Sequence, residues 1–265
     1  MISSLWPAIN VRNAGGLSAA ARERLLSQRF EPLFLAAWES VLMIHFEVDP
    51  EALQRSVPFE LDLHDGRAFV SLVSFTLRGM RPRIGGRIAA GLLWPIATQD
   101  FLNVRTYVRY KGETGIHFLA EWLSGRLAAK LGPTSFSLPY RHGNISYQLD
   151  PWSGDFRGRI VDSLTGASLT YDGTLPTSPE FSPCETGSLE EWLMERYTAF
   201  NAAGRRRRFF RVWHPPWPQC GAQVALGENS LLTRNWPWFA GANLLSANYS
   251  PGFDEVWMGR PHRLS

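Results

Sequence analysis

From Phe34 onward the chain alternates. Leu42, Ile44, Phe46 and Val48 form one apolar series, interleaved with Val41, Met43, His45 and Glu47. That two-residue period predicts a strand with one buried face. It returns at 103–110, where Val104, Thr106, Val108 and Tyr110 interleave with Asn103, Arg105, Tyr107 and Arg109. Further strands are expected over 116–123, 134–140, 143–149, 156–162, 167–173, 205–213 and 219–228. Two more are expected within 242–260, all punctuated by Gly and Pro. Asp65-Gly66 predicts a hairpin turn between 61–63 and the run 67–81.

Helical signals are fewer. Residues 18–29 read as a short amphipathic helix outside the main body. Asp49 is an N-cap with Pro50 at the tolerated first position of a helical turn reaching about Ser56. Ser188 to Glu191 is a capping-box pattern for a helix to about Phe200, and 124–130 also looks helical. The Pro- and Gly-rich 82–100 is expected to be a loop, long enough to form a lid or pocket rim, and 174–187 a connector. Many strands and few helices argue a barrel or sandwich. The organisation expected is an N-terminal helical extension over 1–33 and one domain over 34–265.

Composition adds limits. With 45% hydrophobic and 19% charged residues the chain is ordinary globular material, but 11 Trp and 16 Phe are enough to line a wide pocket as well as a core. Two cysteines, Cys184 and Cys220, imply no disulfide framework and suggest a reducing, cytoplasmic compartment. Neither a secretory leader nor an apolar run long enough for a membrane span is expected, which leaves Asn144-Ile145-Ser146 without meaning as a glycosylation site. The formal charge is only +3, so no nucleic-acid partner is expected. Lys111 and Lys130 are the only lysines; every other basic residue is arginine. Arginine suits fixed carboxylate or phosphate pairing, whereas a Schiff base needs lysine.

Several stretches in order resemble one family: Trp38 to His45 (WESVLMIH), Val57-Pro58, Leu61 to Ala68 (LDLHDGRA) and Asn103 to Val108 (NVRTYV). Leu138-Pro139-Tyr140, Glu195-Arg196-Tyr197 and His214 to Pro218 (HPPWP) continue the match, which spans roughly 34–260. The chain thereby resembles the YqjF-like family, a bacterial group and a branch of the acetoacetate-decarboxylase-like superfamily. The resemblance implies a mainly β (α+β) fold, an antiparallel β barrel around a small-molecule cavity with a few peripheral helices, and the fold class suggests a homodimer. In the decarboxylases a lysine pair followed by Leu-Gly supplies a Schiff-base amine whose pKa a cationic neighbour lowers. The matching stretch here is Ala129-Lys130-Leu131-Gly132, with alanine at the nucleophile's place.

The candidates for chemistry follow. His45 sits opposite the aliphatic face of its strand and is an acid, base or ligand contact if that face meets a cavity; otherwise it is a hydrogen-bonded structural histidine. Asn103, Arg105 and Tyr107 share one strand face and would offer an amide, a cation and a phenol to a carboxylate ligand, or else to solvent. His117 and Glu121 are expected on one face of the next strand, about 13 Å apart. Glu121 against an apolar wall would have a raised pKa suited to proton transfer, or would pair with an arginine. Lys130 is either a buried amine or a surface residue. Tyr140, Arg196, Tyr197, His214 and Trp217 come from the matched motifs as ligand contacts, with structural roles as the alternative. The arginines at 205–208 would touch a polyanion or form the polar edge of a strand.

No Walker A loop, Rossmann fingerprint, HExxH, CxxC pair or Gly-x-Ser-x-Gly elbow occurs, so no metal or cofactor is expected. The leading expectation is a barrel that holds a small carboxylate or carbonyl compound, with or without catalysis. The alternatives are a lysine-dependent lyase using Lys130 and a non-catalytic interaction module.

Overall fold

A computed structural model, which describes residues 16–204 and 206–264, turns the alternation into long paired strands. Helix α1 (Gly16–Leu26) precedes β1 (Phe34–Val48), and helix α2 (Pro50–Gln54) ends that strand. The Asp49 carboxylate accepts the Ala52 N–H at 2.7 Å, as its N-cap position requires. Strands β2 (Glu60–Leu61) and β3 (Ala68–Pro82), helix α3 (Gly86–Leu93), β4 (Gln99–Tyr110) and β5 (Glu113–Leu123) follow. Helix α4 (Arg126–Phe136) leads to β6 (Tyr140–Leu149), β7 (Asp155–Asp162) and β8 (Ser168–Thr174). Helix α5 (Leu189–Met194) leads to β9 (Thr198–Ala203) and β10 (Arg206–Trp213). Then come β11 (Cys220–Gly221), β12 (Gln223–Leu226), helix α6 (Ser230–Thr233), β13 (Asn243–Met258) and β14 (His262–Arg263).

These strands form one 14-stranded sheet. Its pairings run β5–β9–β10–β13–β1–β3–β4, and β4 pairs back onto β5, so the order closes into a ring. Most neighbours are antiparallel, while β5 is parallel to both β6 and β9. The mainly β architecture with peripheral helices is therefore the one observed. Outside the ring, β6, β7, β8 and β12 form a meander continuing from β5.

Both faces of the central strands are buried, in two separate cores. Leu42, Ile44, Leu72, Val104 and Trp122 belong to one, which packs against Phe156, Ile160 and Leu169 of the meander. Val41, Met43, Val73, Phe75 and Phe118 belong to the other, which is covered by Leu193 and Met194 of α5 and by Trp217.

Several expectations need correction. Residues 82–100 are not a structureless loop, because α3 and a 3-10 turn at Trp94–Ile96 occupy them. The Gly85-Gly86, Gly91 and Pro95 punctuation hides their helical period. Residues 134–136 end α4 instead of starting a strand. The Ser188 helix stops at Met194, and Thr198 already begins β9. Ser188 Oγ does accept the Glu191 N–H at 3.1 Å, so the cap signal was sound and only the length was not. Residues 242–260 hold one long strand, β13, where two were expected. Within it Gly252 has a positive φ of 97°, and a Cβ there would run into the Trp38 carbonyl. At Asp65 and Gly66 both φ angles are positive, 51° and 76°, as a hairpin turn demands. The turn, however, closes only the His64–Arg67 bridge, and β2 pairs with β4.

Candidate functional site

The register of the ring strands sets polar residues side by side across the second face. His45 of β1 lies opposite Ser71 of β3, and Ser71 lies opposite Arg105 of β4. One step along, Asn248 of β13 faces Met43, Asn103 faces Glu121, and Glu121 pairs with Tyr140 of β6. The result is a band of polar side chains inside a core, not on a surface. His45 is 0% exposed, Glu121 3% and Arg105 7%.

A chain of hydrogen bonds ties part of the band together. His45 Nδ1 lies 2.7 Å from Ser71 Oγ, and Ser71 Oγ lies 2.6 Å from the Tyr107 hydroxyl. Tyr107 in turn donates to the Leu193 carbonyl at 3.0 Å. Arg105 donates to the same carbonyl at 3.2 Å and reaches Met43 Sδ at 3.6 Å. Among the described residues no carboxylate pairs with it. Five buried atoms of the band, His45 Nε2, Asn103 Oδ1, Arg105 Nε, Glu121 Oε2 and Asn248 Oδ1, have no hydrogen-bond partner among the described residues. Such groups are costly to bury unsatisfied.

The protonation states follow from the burial. Burial pushes the His45 pKa down to about 3, the Arg105 charge adds to the push, and Asn248 opposes it. His45 is thus a neutral imidazole at pH 7. Burial alone raises the Glu121 carboxyl well above the usual carboxylate range, favouring the neutral acid. Burial and then the neighbouring Glu121 raise the Tyr140 phenol. The band therefore holds one fixed cation, Arg105, among neutral donors and acceptors.

Arg196, Tyr197, His214 and Trp217 form a second group. Arg196 is held by Asp62 at 2.9 Å and stacks over Trp192 at 4.1 Å and Tyr107 at 5.2 Å. Glu195 accepts from the Tyr197 hydroxyl and, at 2.8 Å, from the Trp217 backbone N–H. The His214 ring lies 4.6 Å from Trp217 and 4.8 Å from Tyr197. Burial, offset in part by the Pro215 carbonyl, lowers its pKa to about 3. Trp217, 6.1 Å from Trp38, joins this knot to the wall of the second core. These residues touch protein partners, and Arg196 and Tyr197 also line a cavity of about 80 Å³ between α1 and the start of β9.

Other candidates fall elsewhere. His117 and Glu121 do not share a face: a register shift between Val104 and Arg105 places one extra residue in β5. Ile116 and Phe118 thus face the polar band with Glu121. His117 instead packs 5.5 Å from Phe59 and bonds the Phe200 carbonyl at 2.8 Å. The bulge reverses the count by two. Lys130 is exposed on α4, apart from the band. Arg206 and Arg207 are exposed at the start of β10, whereas Arg205 lies outside the described residues. Ser71, Asn248, Asp62 and Glu195 were not among the sequence candidates. Ser71 and Asn248 do occupy the alternate positions of their strands, so period two would have found them; Asp62 and Glu195 carry no such signal.

Among the described residues, no cluster of three or more His, Cys, Asp or Glu is placed to hold a metal ion. Among the described residues no helix is long and apolar enough to cross a membrane.

Comparison with known proteins gives context. Residues 35–252 match DUF2071, described as an uncharacterized conserved protein. The uncharacterized protein YqjF of Bacillus subtilis is 30% identical over 196 residues, which is 73% of this chain and 78% of that protein. An acetoacetate decarboxylase-like enzyme from Sphingomonas wittichii superposes with a TM-score of 0.61 at 16% identity, covering 89% of this chain and 94% of its own. The enduracididine biosynthesis enzyme MppR, complexed with the condensation product of pyruvate and imidazole 4-carboxaldehyde, gives 0.62 at 13% identity, covering 89% and 90%. At these identities the likeness is one of fold.

Proposed function

This chain belongs to the DUF2071 family, and from that premise we propose that it binds a small organic acid on the polar band, with Arg105 as the partner of the carboxylate. One observation carries the reading: Arg105 is buried to 7% without a counter-charge among the described residues. A guanidinium removed from water and left unpaired costs several kcal/mol (about 3–5 when a buried pair is broken). A ligand carboxylate would restore the pairing, bidentate if geometry allows. The neighbouring acid does not take that role, since burial favours the neutral form of Glu121.

His45, Tyr107, Asn103 and Tyr140 complete the contacts, and Phe75, Phe118 and Trp217 form the apolar wall. Glu121, as a neutral acid, supplies capacity for proton transfer next to the bound molecule. A fold relative complexed with a pyruvate-derived product supports the size and class of ligand. Both cysteines are free thiols, which supports placing the protein in a reducing compartment.

The test is a thermal-melt screen with small carboxylic acids on the wild type and on Arg105→Met. A ligand at a hundred times its Kd stabilises the folded state by about 2.7 kcal/mol, so the wild-type midpoint rises and that of the variant stays fixed. An equal rise in the variant would sink the assignment.

A further inference from the structure

The hydrogen-bond chain through Ser71 fixes more than positions, because its protons can be counted. A backbone carbonyl only accepts. Tyr107 therefore commits its one hydroxyl proton to the Leu193 carbonyl, 3.0 Å away. The 2.6 Å contact between Tyr107 and Ser71 then needs the Ser71 proton. The 2.7 Å contact between Ser71 and His45 Nδ1 is left to be filled by a proton on Nδ1. At neutral pH the ring carries one proton, so Nε2 holds a lone pair. The opposite tautomer would leave one oxygen–oxygen contact of this chain without a proton.

Asn248 is the neighbour that could reverse this by accepting from an Nε2–H. Its Nδ2 donates to Gln219 Oε1 at 2.7 Å, which presents Oδ1 as an acceptor. Yet His45 Nε2 and Asn248 Oδ1 are both buried and neither meets a partner in hydrogen-bond geometry among the described residues. Asn248 acts on the ring only as the smallest of three influences on its pKa, so the contacts on the Ser71 side set the proton. Asn103 Oδ1 and Glu121 Oε2 of the band are unpaired as well, and Arg105 Nε is its one unmatched nitrogen donor among the described residues.

We infer that His45 is held as the Nδ1–H tautomer and that its Nε2 lone pair makes the site select a small acid bearing a hydroxyl beside its carboxylate over the matching oxo acid. This rests on the carboxylate reading above and names the ligand class. The carboxylate meets Arg105, and the hydroxyl donates to Nε2. An oxo group has no proton to give and sets an oxygen lone pair against a nitrogen lone pair. An amino acid fits less well than a hydroxy acid, since its ammonium would add a second buried cation. His45 here is a specificity residue and Ser71 a positioning residue.

Two measurements on the full chain test this. Nitrogen-15 spectra of the ligand-free protein at pH 7 report the tautomer: Nε2 of His45 is expected unprotonated, and a protonated Nε2 overturns the inference. Calorimetric titration with L-lactate, D-lactate and pyruvate reports the selectivity. One lactate enantiomer is expected to bind about tenfold more tightly than pyruvate, the scale of one buried neutral hydrogen bond. In Ser71→Ala the ring is released from its tautomer. The preference then falls toward parity while pyruvate affinity is retained, a change that loss of packing alone would not produce. Pyruvate binding as tightly as both lactates in the wild type overturns the selectivity. Binding of none of the three, with Nε2 unprotonated, would remove the carboxylate reading and the selectivity together and leave the tautomer standing.

Discussion

Two arginines of this molecule are buried almost equally, Arg105 at 7% and Arg196 at 8% exposure, and they sit in opposite electrostatic circumstances. Arg196 has a carboxylate at 2.9 Å, indole and phenol rings on its planar face, and a carbonyl accepting from its Nε. Arg105 has a carbonyl, a thioether and an Nε with nothing to meet. One belongs to an ion-pair knot that ties α5 to Asp62, with its Nη2 alone lacking a hydrogen-bond partner among the described residues. The other is an expense the fold does not need for its own sake. On the proposed reading, the imbalance marks where a charged partner would pair.

The contrast can be broken most forcefully at Asp62. Asp62→Ala strands Arg196 in the interior and is expected to cost about 3–5 kcal/mol in urea unfolding. A loss below 1 kcal/mol would show that the pair is not what holds α5. Next in size is a pH effect on the Arg105 side. Burial holds the His45 pKa at about 3, against an ordinary histidine value of 6.5. Its contribution is fully present above 6.5 and is lost as pH falls toward 3, because only the unfolded chain takes up the proton in that window. Between pH 7 and pH 5 the wild type should lose about 2 kcal/mol more than His45→Gln. The gap should narrow in an Arg105→Met background, where the repelling charge is gone.

Arg105→Met comes third and carries the opposite sign to Asp62→Ala. Removing an unpaired buried cation should leave stability unchanged or raise it by about 1–2 kcal/mol. A loss as large as that of Asp62→Ala would erase the distinction between the two arginines. The smallest effect is a control. Arg81 and Glu255 pair at 2.8 Å with both side chains nearly half exposed. Glu255→Ala is expected to change stability by less than about 1 kcal/mol, and less still in high salt.

The alternation at 41–48 and 103–110 made both faces of β1 and β4 legible, with Asn103, Arg105 and Tyr107 on one face of β4, whereas the register through β3 brings His45 beside them. Two features defeated the same reasoning. The bulge in β5 adds a residue without any change in composition, so His117 was placed with Glu121 when it belongs to the other core. Glycines in α3 hid a helix inside what read as a loop. The long-range partners were harder still to see. Asp62 and Arg196 are 134 residues apart, and no local pattern says that one arginine of this chain finds a carboxylate and another does not. That difference arises only when the ring closes.

A crystal structure of the protein soaked with a small hydroxy acid tests the central claim most directly. The account predicts the carboxylate within hydrogen-bond distance of the Arg105 guanidinium and the hydroxyl on His45. An acid bound at some other part of the molecule, with Arg105 still unpaired beneath it, would contradict the account.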